Sequence, residues 1–226
     1  MLVIRTLGAY NVATMKIYEW AVVGTGPAGI AAVGELLDQG VAQDNILWCD
    51  AHFQVGDFGR HWKFVTSNTN VGLFLQFLNN YQSFRYQEKP QPFPIDSLAK
   101  EDFCELRAVA APLQWITDHL RHTVIAKQTI VQELCIENRA WQLVTKDETF
   151  AAHKVILAIG CDVKQLPPHE HVEAIDLKTA LNPAALAEQC HVDDVIAVYG
   201  SSHSSLLIIR ELANIGVKEI VNFYLE

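Results

Sequence analysis

Residues 20–29 spell WAVVGTGPAG, a short apolar run that ends in three glycines at positions 24, 26 and 29. Small apolar residues then continue as far as Gly40. Few folds can use such a stretch. A buried strand over 19–23 must turn sharply at Gly24, a position open to backbone conformations that a Cβ forbids. A helix over 27–39 follows. Pro27 suits its first turn because a missing N–H costs nothing there, and Gly40 stops it. Residues 46–49, ILWC, form a second buried strand that ends at Asp50. Strand, helix and strand within about 30 residues is the βαβ unit of a parallel sheet.

That unit carries a specific chemistry. Gly24 permits the turn, Gly26 lets a diphosphate approach the backbone, and Gly29 lets helix and strand pack closely. The helix N-terminus, at Pro27 and Ala28, turns free N–H groups and a positive dipole end toward the phosphates. Asp50, followed by Ala51, places a carboxylate where it can accept the hydroxyls of an adenosine ribose. A glycine-rich turn without a ligand is the alternative, but strand, helix, second strand and terminal acid together favour a dinucleotide. Val33 stands where a small residue is usual, and Gly34 is expected to compensate.

Beyond Asp50 the pattern changes several times. Residues 54–72 form a polar, glycine-containing loop, 73–86 are aromatic-rich and partly helical, and 89–96 are a Pro-rich connector. Two amphipathic helices are predicted over 98–110 and 113–123, separated by Pro112. Segments 129–138, 141–148 and 149–154 alternate like a β-meander, and 155–160 is a short separate strand ending in Gly160. After a linker and a helix over 183–190, residues 194–224 repeat the strand–loop–helix–strand plan. Their loop reads Gly200-Ser201-Ser202-His203-Ser204-Ser205. Serines there still offer an N-cap and hydroxyl donors at a helix N-terminus. The chain divides into an extension over 1–17, with Met15 as the functional start, a domain over 18–165 and the start of a second over 166–226.

GTGPAG (24–29), Asp50, GDFGRHW (56–62) and VILAIG (155–160) together resemble the two-dinucleotide-binding-domain flavoproteins, the FAD-dependent pyridine nucleotide oxidoreductases. The resemblance spans 18–224 and lies nearer the flavin-containing monooxygenase-like branch than the disulfide reductases. It implies an α/β chain with a Rossmann-like FAD/NAD(P)-binding fold, a β-meander, a helical insert and an incomplete second Rossmann-like unit. It implies that Gly24, Gly26, Pro27, Ala28, Gly29, Asp50 and Ala51 hold the ADP half of FAD. By the same likeness Arg60, His61, Trp62 and Asn68 lie on the flavin side, with core packing and a turn amide as alternatives for Trp62 and Asn68. Val131 would offer its backbone to the adenine, and Gly160 would end a cofactor-side strand. Gly200, Ser201, Ser202, His203 and Ser204 would receive NAD(P)H. The implied activity is hydride transfer from NAD(P)H to flavin and then to a small molecule or oxygen. A non-catalytic dinucleotide sensor is the alternative.

Two departures qualify the likeness. The monooxygenase branch often carries F-x-G-x-x-x-H before the second glycine loop, and 173–183 read EAIDLKTALNP instead. The resemblance also implies that the chain continues past the second βαβ unit, so a fragment of a longer enzyme is expected, with Leu225 and Glu226 as foreign residues.

Composition narrows the remaining classes. A net charge of −9 over 226 residues, with no basic run, disfavours nucleic acid and anionic membrane as partners. No apolar run reaches the roughly 20 residues that span a bilayer. Five scattered cysteines make no close pair, which points to reduced cytoplasmic thiols and away from disulfide-reductase chemistry. His119 with His122, and His169 with His171, lack further ligands at metal spacing, so no metal is expected. Ser202 as a hydrolase nucleophile is disfavoured because Ser204 departs from G-x-S-x-G. The expected partners are a small-molecule substrate or oxygen, with self-association left open.

Overall fold

The computed structural model describes residues 3–5, 16–165 and 169–224. The expectations about Met15 and the terminal pair 225–226 fall outside these residues. The main sheet has seven strands in the order β1 (Val3–Arg5), β7 (Glu133–Glu137), β8 (Ala140–Val144), β9 (Thr149–Leu157), β2 (Ile17–Val23), β3 (Ile46–Asp50), β6 (Ile125–Gln128). The last four are mutually parallel, and β7, β8 and β9 run as an antiparallel meander. The N-terminal extension thus supplies a strand of its own, paired parallel to β7.

The strands at the centre alternate by side chain, as a two-sided buried strand must. Trp20, Val22, Ile46 and Trp48 face one layer; Ala21, Val23, Leu47 and Cys49 face the other. The first layer is made by helices α1 (Pro27–Asp38) and α4 (Arg107–Thr123), the second by Leu134, Leu143 and Phe150 of the meander. Burial drives the Cys49 thiol up to about 12, so it serves as a small apolar side chain rather than a nucleophile.

Three elements differ from the sequence expectation. The helices expected over 98–110 and 113–123 are one helix, α4, with Pro112 inside it, and Phe103–Glu105 is strand β5. An internal proline costs about 3 kcal/mol. Val109, Leu113, Ile116 and Leu120 are all buried on the same helix, and each contributes about 1.5–3 kcal/mol, so packing wins. Segment 149–154 and residues 155–157 of the next are likewise one strand, β9, with 158–160 lying beyond its end. It pairs with β8 on one edge and β2 on the other, which fuses meander and parallel strands into a single sheet. The third difference is β6, at the sheet edge, which has no strong alternation to announce it.

The polar loop after β3 holds a short helix α2 (Gly56–Arg60), strand β4 (Thr66–Asn70) paired antiparallel with β5, and helix α3 (Val71–Leu78). Asn70 caps α3 through its side chain, which accepts from the Leu73 N–H at 3.0 Å. A second, smaller layer contains α5 (Leu177–Ala180), α6 (Pro183–Gln189), and the parallel pair β10 (Val195–Tyr199) and β11 (Glu219–Phe223), joined by α7 (His203–Ile215). Ala180, Leu186, Cys190, Val198 and Leu212 form its core.

Gly34 does not compensate for Val33 at the sheet. Val33 is fully buried in the core, whereas a Cβ on Gly34 would lie 2.5 Å from Cε1 of Phe84. Gly34 is therefore the seat of the aromatic insert, where Phe77 packs edge to face on Phe84, Tyr81 tilts against Phe84, and Phe84 lies over α1 at Gly34. Replacing Gly34 with Ala should overpack this seat and lower the unfolding free energy by about 1–3 kcal/mol, measured by urea denaturation.

Candidate functional site

At the end of β2 the three glycines do different work. Gly24 has φ +108, and a Cβ there would meet the Ala158 carbonyl oxygen at 2.3 Å. A Cβ on Gly29 would lie 2.0 Å from the Gly24 carbonyl oxygen. Protein atoms alone demand glycine at both positions. Gly26 is different: its backbone is extended, at φ −65 and ψ 172, and a Cβ there would meet nothing within 4 Å. The helix α1 begins here with no side-chain cap, and the first bond of the helical ladder runs from the Ile30 N–H to the Gly26 carbonyl. The N–H groups of Ala28 and Gly29 are therefore free donors at a positive helix end. Thr25 is wholly buried, and its hydroxyl has no hydrogen-bond partner among the described residues.

Asp50 braces this loop. Its Oδ2 accepts from the Thr25 N–H at 3.0 Å, and its Oδ1 accepts from the N–H groups of His52 and Phe53, both at 2.7 Å. A carboxylate oxygen offers about two lone pairs, so Oδ1 is filled and Oδ2 keeps one free direction for a ligand hydroxyl. Trp48 adds a second tie, donating its indole N–H to the Gly24 carbonyl at 2.9 Å.

Sequence reasoning missed the residues that close over the loop. Phe53 (φ +55), Val55 (φ +58) and Gly56 (φ +57) take the left-handed conformation in close succession. For buried Phe53 and β-branched Val55 this costs on the order of 1–3 kcal/mol each. Burial, the Asp50 bond to Phe53 and a bond from the Gln114 side chain to the Phe53 carbonyl at 2.9 Å hold the segment there. The result is close approach: a Cβ on Gly56 would lie 3.0 Å from Cα of Gly26. Ala158, which follows β9 and lies against Gly24 and Gly29, is the other wall. The glycine at 56 was visible in the sequence; the partner it approaches was not.

The second loop repeats the first in its hydrogen bonds. The Gly24 N–H donates to the Cys49 carbonyl at 2.8 Å, and the Gly200 N–H donates to the Phe223 carbonyl at 2.7 Å. Where Trp48 donates to the Gly24 carbonyl, Asn222 donates to the Gly200 carbonyl at 2.8 Å. In this correspondence Ser202 matches Gly26, Ser205 matches Gly29 and Tyr224 matches Asp50. The second loop is looser. Ser205 fits with its side chain present, donating to the Ser202 carbonyl at 2.7 Å, and a Cβ on Gly200 would meet its hydroxyl only at 3.7 Å. Ser201 and Ser202 are exposed, and Ser202 caps α7 by position without a side-chain bond. His203 turns away from this loop: its Nε2 lies 2.6 Å from the Thr66 carbonyl oxygen, tying the start of α7 to β4. That nitrogen donates to the carbonyl and is not available to activate Ser202.

The other expected residues are not gathered into one site. Arg60, His61 and Asp57 form a surface cluster, with Arg60 Nη2 3.8 Å and His61 Nε2 3.5 Å from the Asp57 carboxylate. Burial first, and then the Lys178 ammonium, hold the His61 imidazole below its ordinary value against the pull of Asp57. Trp62 is half-buried beside His61, with ring centres 6.3 Å apart. Asn68 is exposed on β4; the turn amide is Asn70. Val131 packs its side chain against the meander core, and Gly160 is exposed with φ +68. Ala51 is half-buried next to the Asp50 brace. Among the described residues no group of three or more His, Cys, Asp and Glu could hold a metal ion, and no helix is long and apolar enough to cross a membrane.

This is the Rossmann-like architecture of FAD- and NADP-binding proteins, and known structures share it. An OTEMO structure with FAD and NADP has a TM-score of 0.60 at 16% identity, covering 93% of this chain and 39% of that one. Open cyclohexanone monooxygenase has 0.58 at 18% identity, covering 93% and 40%. The bacillithiol disulfide reductase Bdr of Staphylococcus aureus has 0.59 at 16% identity, covering 93% and 58%. In sequence the chain is 28% identical over 214 residues to the monooxygenase AgnR1 of Paecilomyces divaricatus, covering 86% of this chain and 54% of the relative. It therefore spans about half the length of that relative. No protein-family model matches. The likeness to flavoproteins of the monooxygenase type, drawn from GTGPAG, Asp50, GDFGRHW and VILAIG, agrees with both comparisons.

Because one carboxylate serves three N–H groups, Asp50→Ala should destabilise the protein by about 3 kcal/mol, with Asp50→Asn losing less because one acceptor oxygen remains. Parallel thermal and urea unfolding of both variants would check this.

Proposed function

We propose that this chain forms the FAD-binding part, over 18–165, and the beginning of the NAD(P)-binding part, over 166–226, of an FAD-dependent oxidoreductase of monooxygenase type. The observation that carries the proposal is Gly26. Its neighbours Gly24 and Gly29 are glycines because the protein leaves no room for a side chain, whereas at Gly26 the room exists and the backbone conformation suits any residue. A glycine kept where the fold does not require it, at the N-terminus of α1 and beside two free N–H groups, fits the close approach of a diphosphate. The unpartnered Thr25 hydroxyl and the free lone pair on Asp50 Oδ2 fit the same ligand. Support also comes from the FAD and NADP of the OTEMO structure and from the activity named for the relative AgnR1.

In this reading the residues divide the work. Gly24, Gly26, Pro27, Ala28 and Gly29 orient the diphosphate, Asp50 takes a ribose hydroxyl, and Gly56 shields the loop from water. Arg60, His61, Trp62 and Asn68 line the flavin side, Val131 and Gly160 border the cofactor, and Gly200 to Ser204 receive the nicotinamide nucleotide. His203 positions that second loop against β4. The bound flavin would accept hydride from NAD(P)H and pass electrons to a small molecule or oxygen.

The test follows from the difference between the glycines. Purified protein should show the two visible flavin bands and release FAD on heating. Gly26→Ala should keep the unfolding free energy within about 0.5 kcal/mol of the parent stripped of flavin, while failing to bind flavin itself. If Gly26→Ala keeps its flavin, or if the parent neither carries FAD nor takes it up, the proposal fails.

A further inference from the structure

Away from both glycine loops, the helical insert borders an open groove of about 830 Å³. Helix α3 forms one wall, the Pro-rich segment 86–96 the other, and Lys100 stands at the edge. The volume lies within the roughly 300–1,000 Å³ common to small-molecule sites.

The charges in this groove are unevenly satisfied. Asp96 is held at both oxygens: its Oδ1 accepts from the Tyr86 hydroxyl at 2.9 Å and its Oδ2 accepts from the Phe93 N–H at 2.7 Å. Burial and the Asp96 carboxylate push the Tyr86 hydroxyl up, which keeps it a donor. Lys89 is not engaged in the same way. Its side chain is only 14% exposed, yet its ammonium reaches the Tyr86 carbonyl at 3.4 Å and the Asp96 carboxylate at 3.6 Å, both at or beyond hydrogen-bond length. It also lies over the Tyr86 ring, 4.0 Å from the centroid. An ammonium carries three donors, and one that is largely out of water with long contacts alone is costly unless an acceptor arrives.

A second cation faces the same space. Lys100 is fixed to the first turn of α3 by the Gly72 N–H, which donates to the Lys100 carbonyl at 2.8 Å. No carboxylate lies within salt-bridge distance of its ammonium among the described residues. The groove thus presents two ammonium groups against one carboxylate, Asp96, which pairs with Lys89 at 3.6 Å. Leu75 and Pro92 add apolar surface, and Gln76 and Gln91 add amides.

We propose that this groove is a binding site for a small organic carboxylate, with its anionic group between Lys89 and Lys100 and its apolar body against Leu75 and Pro92. The site is independent of the glycine loops, so it stands or falls whether or not the protein carries flavin. Benzoate is the probe, with neutral benzamide of the same shape as its control, each titrated into the full chain while backbone amide NMR shifts are followed. Saturable benzoate shifts are expected on α3 and residues 86–96, with benzamide weaker by about tenfold or more, since a charge-assisted contact is lost. Lys89→Gln and Lys100→Gln should each raise the benzoate Kd about tenfold. Removing Lys89 also removes its ion pair with Asp96, whereas exposed Lys100 has no such partner among the described residues, so its variant keeps the test decisive. Absence of saturable shifts in the groove, equal affinity for benzamide, or unchanged benzoate binding by Lys100→Gln would overturn the proposal.

Discussion

The carboxylate of Asp50 is the tie on which the first unit depends. It gathers the N–H groups of Thr25, His52 and Phe53, and so joins the turn after β2 to the turn after β3 at one point. Without it the three donors would compete for water at the mouth of a parallel sheet. With it, the chain after β3 bends into left-handed conformations at Phe53 and Val55 and delivers Gly56 against Gly26. The strain in that bend, on the order of 1–3 kcal/mol per residue, is offset by burial of both side chains. The anchor of the loop and its cover are thus products of one interaction.

The second unit shows what the same scheme becomes with different side chains. Glycine N–H to strand carbonyl, and side-chain donor to glycine carbonyl, recur at Gly200 with Asn222 in the place of Trp48. Ser205 in the place of Gly29 turns its hydroxyl onto the Ser202 carbonyl, and Tyr224 in the place of Asp50 removes the carboxylate brace. His203 supplies a tie of another kind, across to Thr66 on β4. The first loop leaves Gly26 clear at its helix end, and the second lines its helix end with serines, so one backbone plan carries two different surfaces.

Much of this was legible in the residues. The βαβ unit over 19–50, the roles of Gly24 and Gly29, the meander and the second strand–helix–strand all follow from spacing and period. The errors lie where distant packing overrides a local signal. Pro112 marks a helix break by its own chemistry, and the core residues of α4 outweigh it. The division between 154 and 155 looks like a boundary because the polar His153 and Lys154 interrupt the pattern, yet β9 runs through it with partners on both edges. Gly34 was assigned to the sheet because its neighbour Val33 looked too large, and its true partner, Phe84, is some fifty residues away.

The sequence by itself determined the glycine loop, its strand and helix, and the acid at the end of the next strand, because each is set by the conformational limits of residues close in the chain. Only the tertiary structure decided which atoms surround them. It assigned Gly24 and Gly29 to contacts with protein and left Gly26 clear, filled most of the Asp50 lone pairs with backbone donors, and turned His203 to Thr66. It also set Lys89 and Lys100 on one groove. Periodicity reports which face of an element is buried; the partner on that face is chosen by the packing of the whole chain, which no local pattern encodes.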